Sequence, residues 1–339
     1  MNIGLIGAGA NTRERHIPGF RAIDDVNIVA VANRSRESGE RVAKDFGIAR
    51  VFDSPEALIG DPEVDAVCIG TWPYRHREYT IAALEAGKHV LCEARMAGTL
   101  EEAEDMLEAQ DRHPELVAQL VPAPFDLRLG PTVTRMIADG TLGMITEVAV
   151  TSMNPGALDP STPIHWRQEQ QYSGRNMGML GIWSEVIQRW LGETRVVAAH
   201  GTIATKQRPD PSTGAMAEVD VPDTVSVAGE LVNGAQITFR VSSVAAGAPD
   251  NGVVVYGTKA TIRWHMGDTA EWAVHGQPFA TLEPDPGTAS GWQVESDFVA
   301  SVTRGMPVTL TNFSDGVRYM RFVDACWRSW QEGRRIDVV

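Results

Sequence analysis

Gly7 and Gly9 stand directly behind the first apolar run of the chain, in Ile3-Gly4-Leu5-Ile6-Gly7-Ala8-Gly9-Ala10-Asn11-Thr12. A strand, a Gly-x-Gly turn and a helix opening together suit a pyrophosphate. The first glycine makes the turn, the second lets a phosphate reach the backbone, and the helix N-terminus supplies N–H donors. Ala10 and Asn11 fall at the mouth of this turn, and Thr12 occupies the third motif position, where glycine is usual. The end of the second apolar run, Ala32-Asn33-Arg34-Ser35, is where a dinucleotide-binding chain that takes NAD commonly places an acid against the ribose hydroxyls. An acid would repel a 2′-phosphate, whereas Asn33, Arg34 and Ser35 could hold one by charge-assisted hydrogen bonds. NADP(H) is therefore expected ahead of NAD(H), with NAD(H) possible.

Further polar groups fall where strands should end. Thr71-Trp72-Pro73-Tyr74-Arg75-His76 follows one apolar run, and Glu93-Ala94-Arg95-Met96 follows the next. Ligands bind outside the carboxyl ends of parallel strands in this kind of architecture. Arg95 could anchor or polarise an oxygen there, but its guanidinium is too basic to move protons. His76 titrates in a suitable range, and Tyr74 could donate a proton. Downstream, His165-Trp166-Arg167 and Tyr172 through Asn176 add two acid/base candidates, His165 and Tyr172, and one amide. Glu185 lies in the apolar stretch Ile182 to Trp190, so it either points at the site or lies at its edge. No His, Cys, Asp or Glu group has metal-ligand spacing, and no metal is expected.

The elements that would position these groups alternate through the first 120 or so residues. Strands are expected at Asn2 to Ile6, Val26 to Ala32, Val51, Val64 to Ile69, His89 to Cys92 and Leu116 to Val121. Helices are expected near Arg13 to Ile23, Ser38 to Phe46, Arg77 to Ala86 and Leu100 to Arg112. Such alternation implies right-handed crossovers and a parallel sheet. After Pro122-Ala123-Pro124, runs with period-2 alternation dominate, with a hairpin signal at Asn233-Gly234 and a long helix from about Met177 to Leu191. The expected fold class is α/β: a dinucleotide-binding Rossmann domain over 1–122, then an α+β domain over 123–339 with a large, mostly antiparallel open sheet.

The chain has 339 residues and a formal net charge of -14. That balance argues against nucleic-acid partners and anionic membrane surfaces, since phosphate neutralisation needs a basic face. An anionic cofactor would need positive potential concentrated locally. The three cysteines form no CxxC pair. Their number leaves one unpaired, which fits a reducing compartment. No basic leader and no long apolar run is visible at the start, so a cytoplasmic location is expected.

The stretches MNIGLIGAGANTRERHIPGF, DVNIVAVANRSRESGERVAKDFG, IAALEAGKHVLCEA and the C-terminal DFVASVTRGMPVTLTNFSDGVRYMRF resemble the Gfo/Idh/MocA oxidoreductases. The resemblance implies NAD(P), sugar or cyclitol substrates, and a second-domain sheet that pairs subunits into a homodimer or homotetramer. It also places Trp72, Glu93, Trp166 and Arg167 near the cofactor. The departures are specific. Thr71 and His76 match the family's T-P-N-x-x-H, with its middle altered. In the family's E-K-P, Glu93 matches, but Ala94 replaces the lysine and Arg95 the proline. The helical D-x-x-x-H has no counterpart in Asn176-Met177-Gly178-Met179-Leu180-Gly181-Ile182-Trp183-Ser184. The cofactor end thus transfers, whereas the usual lysine and histidine do not.

Three further readings stay open at this stage. One is a glycosidase or lyase that uses a tightly bound cofactor transiently. Another is a C=N reductase, for which the missing lysine and histidine would matter less. The last is a nucleotide-sensing protein without turnover.

Overall fold

The computed structural model describes residues 1–247 and 250–339. The chain divides into two compact units, Met1–Pro122 with Gln293–Val317, and Ala123–Trp292 with Arg318–Val339.

In the first unit, strands β1 (Asn2–Ile6), β2 (Asn27–Ala32), β3 (Arg50–Val51), β4 (Ala66–Ile69), β5 (His89–Cys92) and β6 (Ala118–Leu120) form one sheet in the order β3-β2-β1-β4-β5-β6. Every pairing in it is parallel. β4 and most of β1 and β5 are buried, as expected for strands covered on both faces. Order reverses between β2-β1 and β4-β5, so the ends of β1 and β4 flank the switch point where this architecture binds ligands.

The helices of this unit are α1 (Ile17–Arg21), α2 (Arg36–Phe46), α3 (Pro55–Ile59), α4 (His76–Glu85) and α5 (Leu100–Arg112). The single helix expected from Arg13 is in fact a π-helical turn, Thr12–His16, running into α1. α5 opens on a capping box: Glu102 N–H donates to Thr99 Oγ1, and Glu102 Oε2 accepts the Thr99 N–H. The segment 293–317, which the sequence reading placed in the second domain, lies with the first unit. Phe298 meets Phe20 edge-on with centroids 6.4 Å apart, and Asn312 bridges to Gln119.

The second unit adds helices α6 (Gly130–Ala138), α7 (Gln170–Ser173) and α8 (Leu180–Leu191) and strands β7 (Ile145–Met153) and β8 (Thr194–Thr202). β9 (Gln207–Pro209) and β10 (Met216–Glu218) form a separate antiparallel pair. The large sheet continues with β11 (Thr224–Leu231), β12 (Gln236–Ser242), β13 (Gly252–Gly257), β14 (Ala260–His265), β15 (Thr269–Val274), β16 (Ala280–Thr281) and β17 (Ile336–Asp337). Its order is β16-β15-β14-β13-β7-β12-β11-β8-β17, antiparallel throughout except β12 beside β7. Gly234 takes φ +89 in the β11–β12 turn, the left-handed geometry that Asn-Gly signals.

α8 begins at Leu180 rather than Met177, because Gly178 at φ +55 interrupts the helical path. Its buried face meets an aromatic cluster in which Trp183 lies 4.6 Å from Phe125 and 5.7 Å from Trp264. Two helices remain, α9 (Val294–Arg304) and α10 (Phe313–Glu332), the second running from one unit into the other. Among the described residues no helix is long and apolar enough to cross a membrane.

Candidate functional site

The turn after β1 is built for close approach. Gly7 sits at φ +80, and a Cβ there would lie 2.6 Å from the Thr71 side chain and 3.0 Å from its backbone nitrogen. Gly9 and Ala10 are exposed, and a Cβ on Gly9 would meet only Gly70 O, at 3.7 Å. Asn33 at the end of β2 pins this turn: its Oδ1 accepts the Ala8 N–H at 2.8 Å while its Nδ2 donates to Ser38 Oγ. Asn33 thus shapes the turn as well as lacking the negative charge of an acid. Ser35 caps α2, accepting the Ser38 N–H at 3.3 Å. Arg34 is exposed beside them, while Arg36 pairs with Glu40 and Asp53. Thr71 Oγ1 is buried and has no hydrogen-bond partner among the described residues. A glycine cradle, an exposed arginine and a buried hydroxyl fit a dinucleotide.

Two expected site residues on this unit, His76 and Arg95, have other surroundings. His76 is fully buried at the start of α4. Its Nδ1 faces the carbonyls of Arg95 and Met96, and its Nε2 faces that of Thr71 at 2.9 Å. Burial pushes its pKa down despite these carbonyls. The ring joins the two strand-end loops and leaves no nitrogen for a substrate, so it is not the accessible acid/base group the sequence suggests. Arg95 follows a cis peptide bond and is only 3% exposed, instead of projecting freely from the strand end. Trp72 and Tyr74 stay accessible, with ring centroids 6.4 Å apart, and Arg75 stacks on Tyr74.

Glu93, at the end of β5, meets a residue that sequence reasoning missed. Its Oε1 accepts from Asn11 Nδ2 and lies 3.0 Å from His16 Nε2, and its Oε2 accepts the Ala94 N–H at 3.1 Å. The other His16 nitrogen, Nδ1, lies 2.5 Å from Glu295 Oε1. Burial alone would lower the His16 pKa, but the hydrogen bonds and charges of Glu295 and Glu93 outweigh it and raise it to about 9. Burial would likewise raise that of Glu93, but His16, Asn11 and the Ala94 N–H hold it below the usual carboxylate value. The sequence carried one weak signal: His16 falls one helical turn beyond Asn11, on the segment the glycine turn opens.

The second unit carries a cavity of about 710 Å³. Met177, Met179, Val225 and Val241 supply apolar walls, and Asn154, His165, Arg167, Asp223 and Ser242 bring polar groups. His165 Nδ1 accepts the Arg167 N–H at 3.2 Å, which assigns the proton of the neutral ring to Nε2. Burial and then the Arg167 charge lower its pKa, so the ring is neutral near physiological pH. Trp166 stacks between the two, 5.5 Å from the His165 ring and 4.3 Å from the Arg167 guanidinium carbon.

The loop that carries these groups is moored by Arg208, also missed from sequence. It is 1% exposed and donates to the carbonyls of Ala157, Asp159 and Thr162. Tyr172 is half-buried on α7. Asn176 is buried, its Nδ2 donating to Ser173 O at 2.6 Å.

Glu185 does not reach this cavity. It is buried on α8, accepts the Ala123 N–H at 3.0 Å and pairs with Arg189 at 2.8 Å. Arg189 also binds Asp126, which accepts from Trp190 Nε1 at 2.8 Å. Glu185 therefore anchors the chain where it enters the second unit and is not an acid/base candidate. Among the described residues no group of His, Cys, Asp and Glu is arranged to hold a metal ion.

Residues 1–119 match the model of an oxidoreductase family described as having an NAD-binding Rossmann fold, and residues 131–263 match the GFO/IDH/MocA C-terminal domain. The chain belongs to the Gfo/Idh/MocA oxidoreductase family. Among relatives in that family, levoglucosan dehydrogenase from Pseudarthrobacter phenanthrenivorans is 30% identical over 293 residues, covering 77% of this chain and 73% of the relative. The 1,5-anhydro-D-fructose reductase of Ensifer adhaerens is 46% identical over 106 residues, 31% of this chain and 32% of the relative. A solved levoglucosan dehydrogenase in complex with NADH and levoglucosan superposes with a TM-score of 0.87 at 24% identity, covering 100% of this chain and 99% of that one. That likeness shows the Gfo/Idh/MocA fold. The family assignment makes the chain an oxidoreductase with an NAD-binding domain.

Proposed function

We propose that the chain is an NAD(P)(H)-dependent dehydrogenase or reductase of a sugar, cyclitol or similar polyhydroxylated molecule, with a catalytic centre rebuilt around the missing lysine and histidine. The observation that carries this is the second-unit cavity, in which apolar walls surround a few converging polar groups, the usual make-up of a small-molecule site. Named relatives that act on levoglucosan, anhydrofructose and inositol support the substrate class.

The dinucleotide, when bound, supplies hydride exchange at its nicotinamide ring. Gly7, Gly9, Ala10 and Asn11 would receive its phosphates, with Thr71, Trp72 and Glu93 beside them. His165, fixed with its proton on Nε2, would donate to the substrate oxygen and stabilise negative charge developing there. Asn154 and Ser242 would orient neighbouring hydroxyls. Of the suggested proton carriers other than His165, Tyr74 and Tyr172 keep access to solvent.

The reading is tested by following reduced-nicotinamide absorbance with a panel of sugars and cyclitols. His165→Phe is expected to lower kcat/KM by about 10²-fold. An unchanged value would remove His165 from the site. Substrate cleavage without net absorbance change would replace dehydrogenation by transient oxidation.

NADP(H) preference rests on the missing acid at Asn33 and on exposed Arg34. Arg34→Ala is expected to weaken NADPH about tenfold, the loss of one charge-assisted contact, while NADH changes little. Equal losses for both cofactors in a titration of protein fluorescence would end the preference argument. Pairing of subunits through the large sheet is also proposed, and a monomeric mass by light scattering would exclude it.

A further inference from the structure

We propose that His16 is a positioning residue of the cofactor site: wedged between Glu295 and Glu93, it fixes the Glu93 carboxylate against Asn11 and so holds the glycine turn in its receiving shape. The proposal rests on the cofactor reading of that turn and goes beyond it in assigning how the turn is held.

Three contacts carry it. Both ring nitrogens of His16 face carboxylate oxygens, Nδ1 at 2.5 Å from Glu295 and Nε2 at 3.0 Å from Glu93. Only the doubly protonated ring can donate to both; a neutral ring would aim a lone pair at one carboxylate. The same Glu93 oxygen accepts from Asn11 Nδ2, and Asn11 lies two residues beyond Gly9. The chain Glu295–His16–Glu93–Asn11 therefore runs from a helix through the π-helical turn to the end of β5 and back to the glycine turn. Its inner end has room because residue 19 lacks a side chain: a Cβ on Gly19 would lie 2.6 Å from the Glu295 carboxyl carbon.

Nearby titratable groups feel the same carboxylates. Cys68 and Cys92 are buried thiols pushed up by burial, hence neutral, and both feel the Glu93 charge. His76, which also feels Glu93, is pushed down by burial and stays neutral. Asp297 is raised by burial and by the Glu295 charge. The imidazolium thus supplies positive charge that helps keep the buried Glu93 carboxylate ionised. An ionised acceptor grips the Asn11 amide about twice as strongly as a neutral one.

Full-length protein labelled with 15N is the test. Without cofactor, His16 should show two protonated nitrogens at neutral pH, and the Asn11 side-chain amide should be shifted downfield and slow to exchange. In His16→Gln the Asn11 signal should collapse to solvent-like values, and NADH and NADPH should each bind about tenfold more weakly, by calorimetry. Gly19→Ala, which changes no member of the chain but crowds the Glu295 carboxyl at its inner end, should move the His16 and Asn11 signals in the same direction. A neutral His16 tautomer in the wild type, or an Asn11 amide unchanged in both variants, overturns the proposal. A wild type that binds neither nucleotide would sink the cofactor reading, while the nitrogen and amide signals still decide the role of His16.

Discussion

Arg189→Met is expected to destabilise the second unit by about 3–5 kcal/mol, the usual cost of stranding a buried charge. The guanidinium lies between Glu185, 2.8 Å from Nη1, and Asp126, bound to Nη2, and it also donates to the Ala123 carbonyl at 3.2 Å. Both acids are nearly inaccessible, Glu185 at 2% and Asp126 at 4%. The Ala123 N–H donates to Glu185 and the Trp190 indole to Asp126, and neither donor carries charge. Methionine would keep much of the volume and leave two carboxylates facing each other in a dry site. Thermal unfolding followed by tryptophan emission should show Tm falling by roughly 10 °C for a unit of this size. Adding Asp126→Asn and Glu185→Gln to the variant should recover part of the loss, because the stranded charges disappear with them. A Tm within a degree or two of wild type would show that the network is wetter than its burial implies.

Alkaline pH should expose the second large effect. His16 has its pKa raised to about 9 in the folded chain, from 6.5. It therefore binds its proton more tightly folded than unfolded. Its stabilisation is complete below the unfolded value and is lost as pH climbs through about 9. The gap corresponds to about 3 kcal/mol. Glu93, held below its ordinary value, works from the other side: its contribution is present above its unfolded pKa and lost as pH falls through the folded one. Both express one ion pair, so the two are not added. His76, lowered by burial, favours unfolding as the solution turns acidic, and the buried thiols Cys68, Cys92 and Cys326, raised by burial, favour it as the solution turns alkaline, so the reporter is the difference between wild type and His16→Gln on the alkaline limb. Tm should decline from near-neutral pH to about pH 10 in the wild type. His16→Gln, already less stable, should decline less over the same interval. Parallel profiles would mean that His16 is not an imidazolium in the fold.

The frame of the first unit was legible because its strands are short apolar runs and its helices begin and end on recognisable residues. Leu100–Arg112 was expected and found at the same bounds, with Thr99 and Glu102 forming its cap. Thr224–Leu231 in the second unit was likewise fixed by alternation and the Asn-Gly turn that follows it. The glycine turn was readable because close approach demands specific residues at specific places.

The inner side of the site was not readable, because its partners are far apart along the chain. His16 and Glu295 are separated by 279 positions, a distance that no periodicity spans. His76 and Glu185 misled for the opposite reason. Their residue types suggest proton transfer, but only burial and hydrogen-bond accounting distinguish a splint from a catalyst. Arg208 gave no sign either, since its partners are carbonyls, which every residue has.

The return of residues 293–317 to the first unit bears on how this protein can be cut and recombined. A fragment ending at Pro122 would hold all six parallel strands and both glycines, and by sequence it would look like a complete module. It would lack Glu295, which closes on His16, Phe298, which covers Phe20, and Asn312, which bridges to Gln119. A chimera exchanging only 1–122 between relatives would pair one parent's His16 with the other parent's helix. The transplantable piece is discontinuous, and a donor must supply both stretches together.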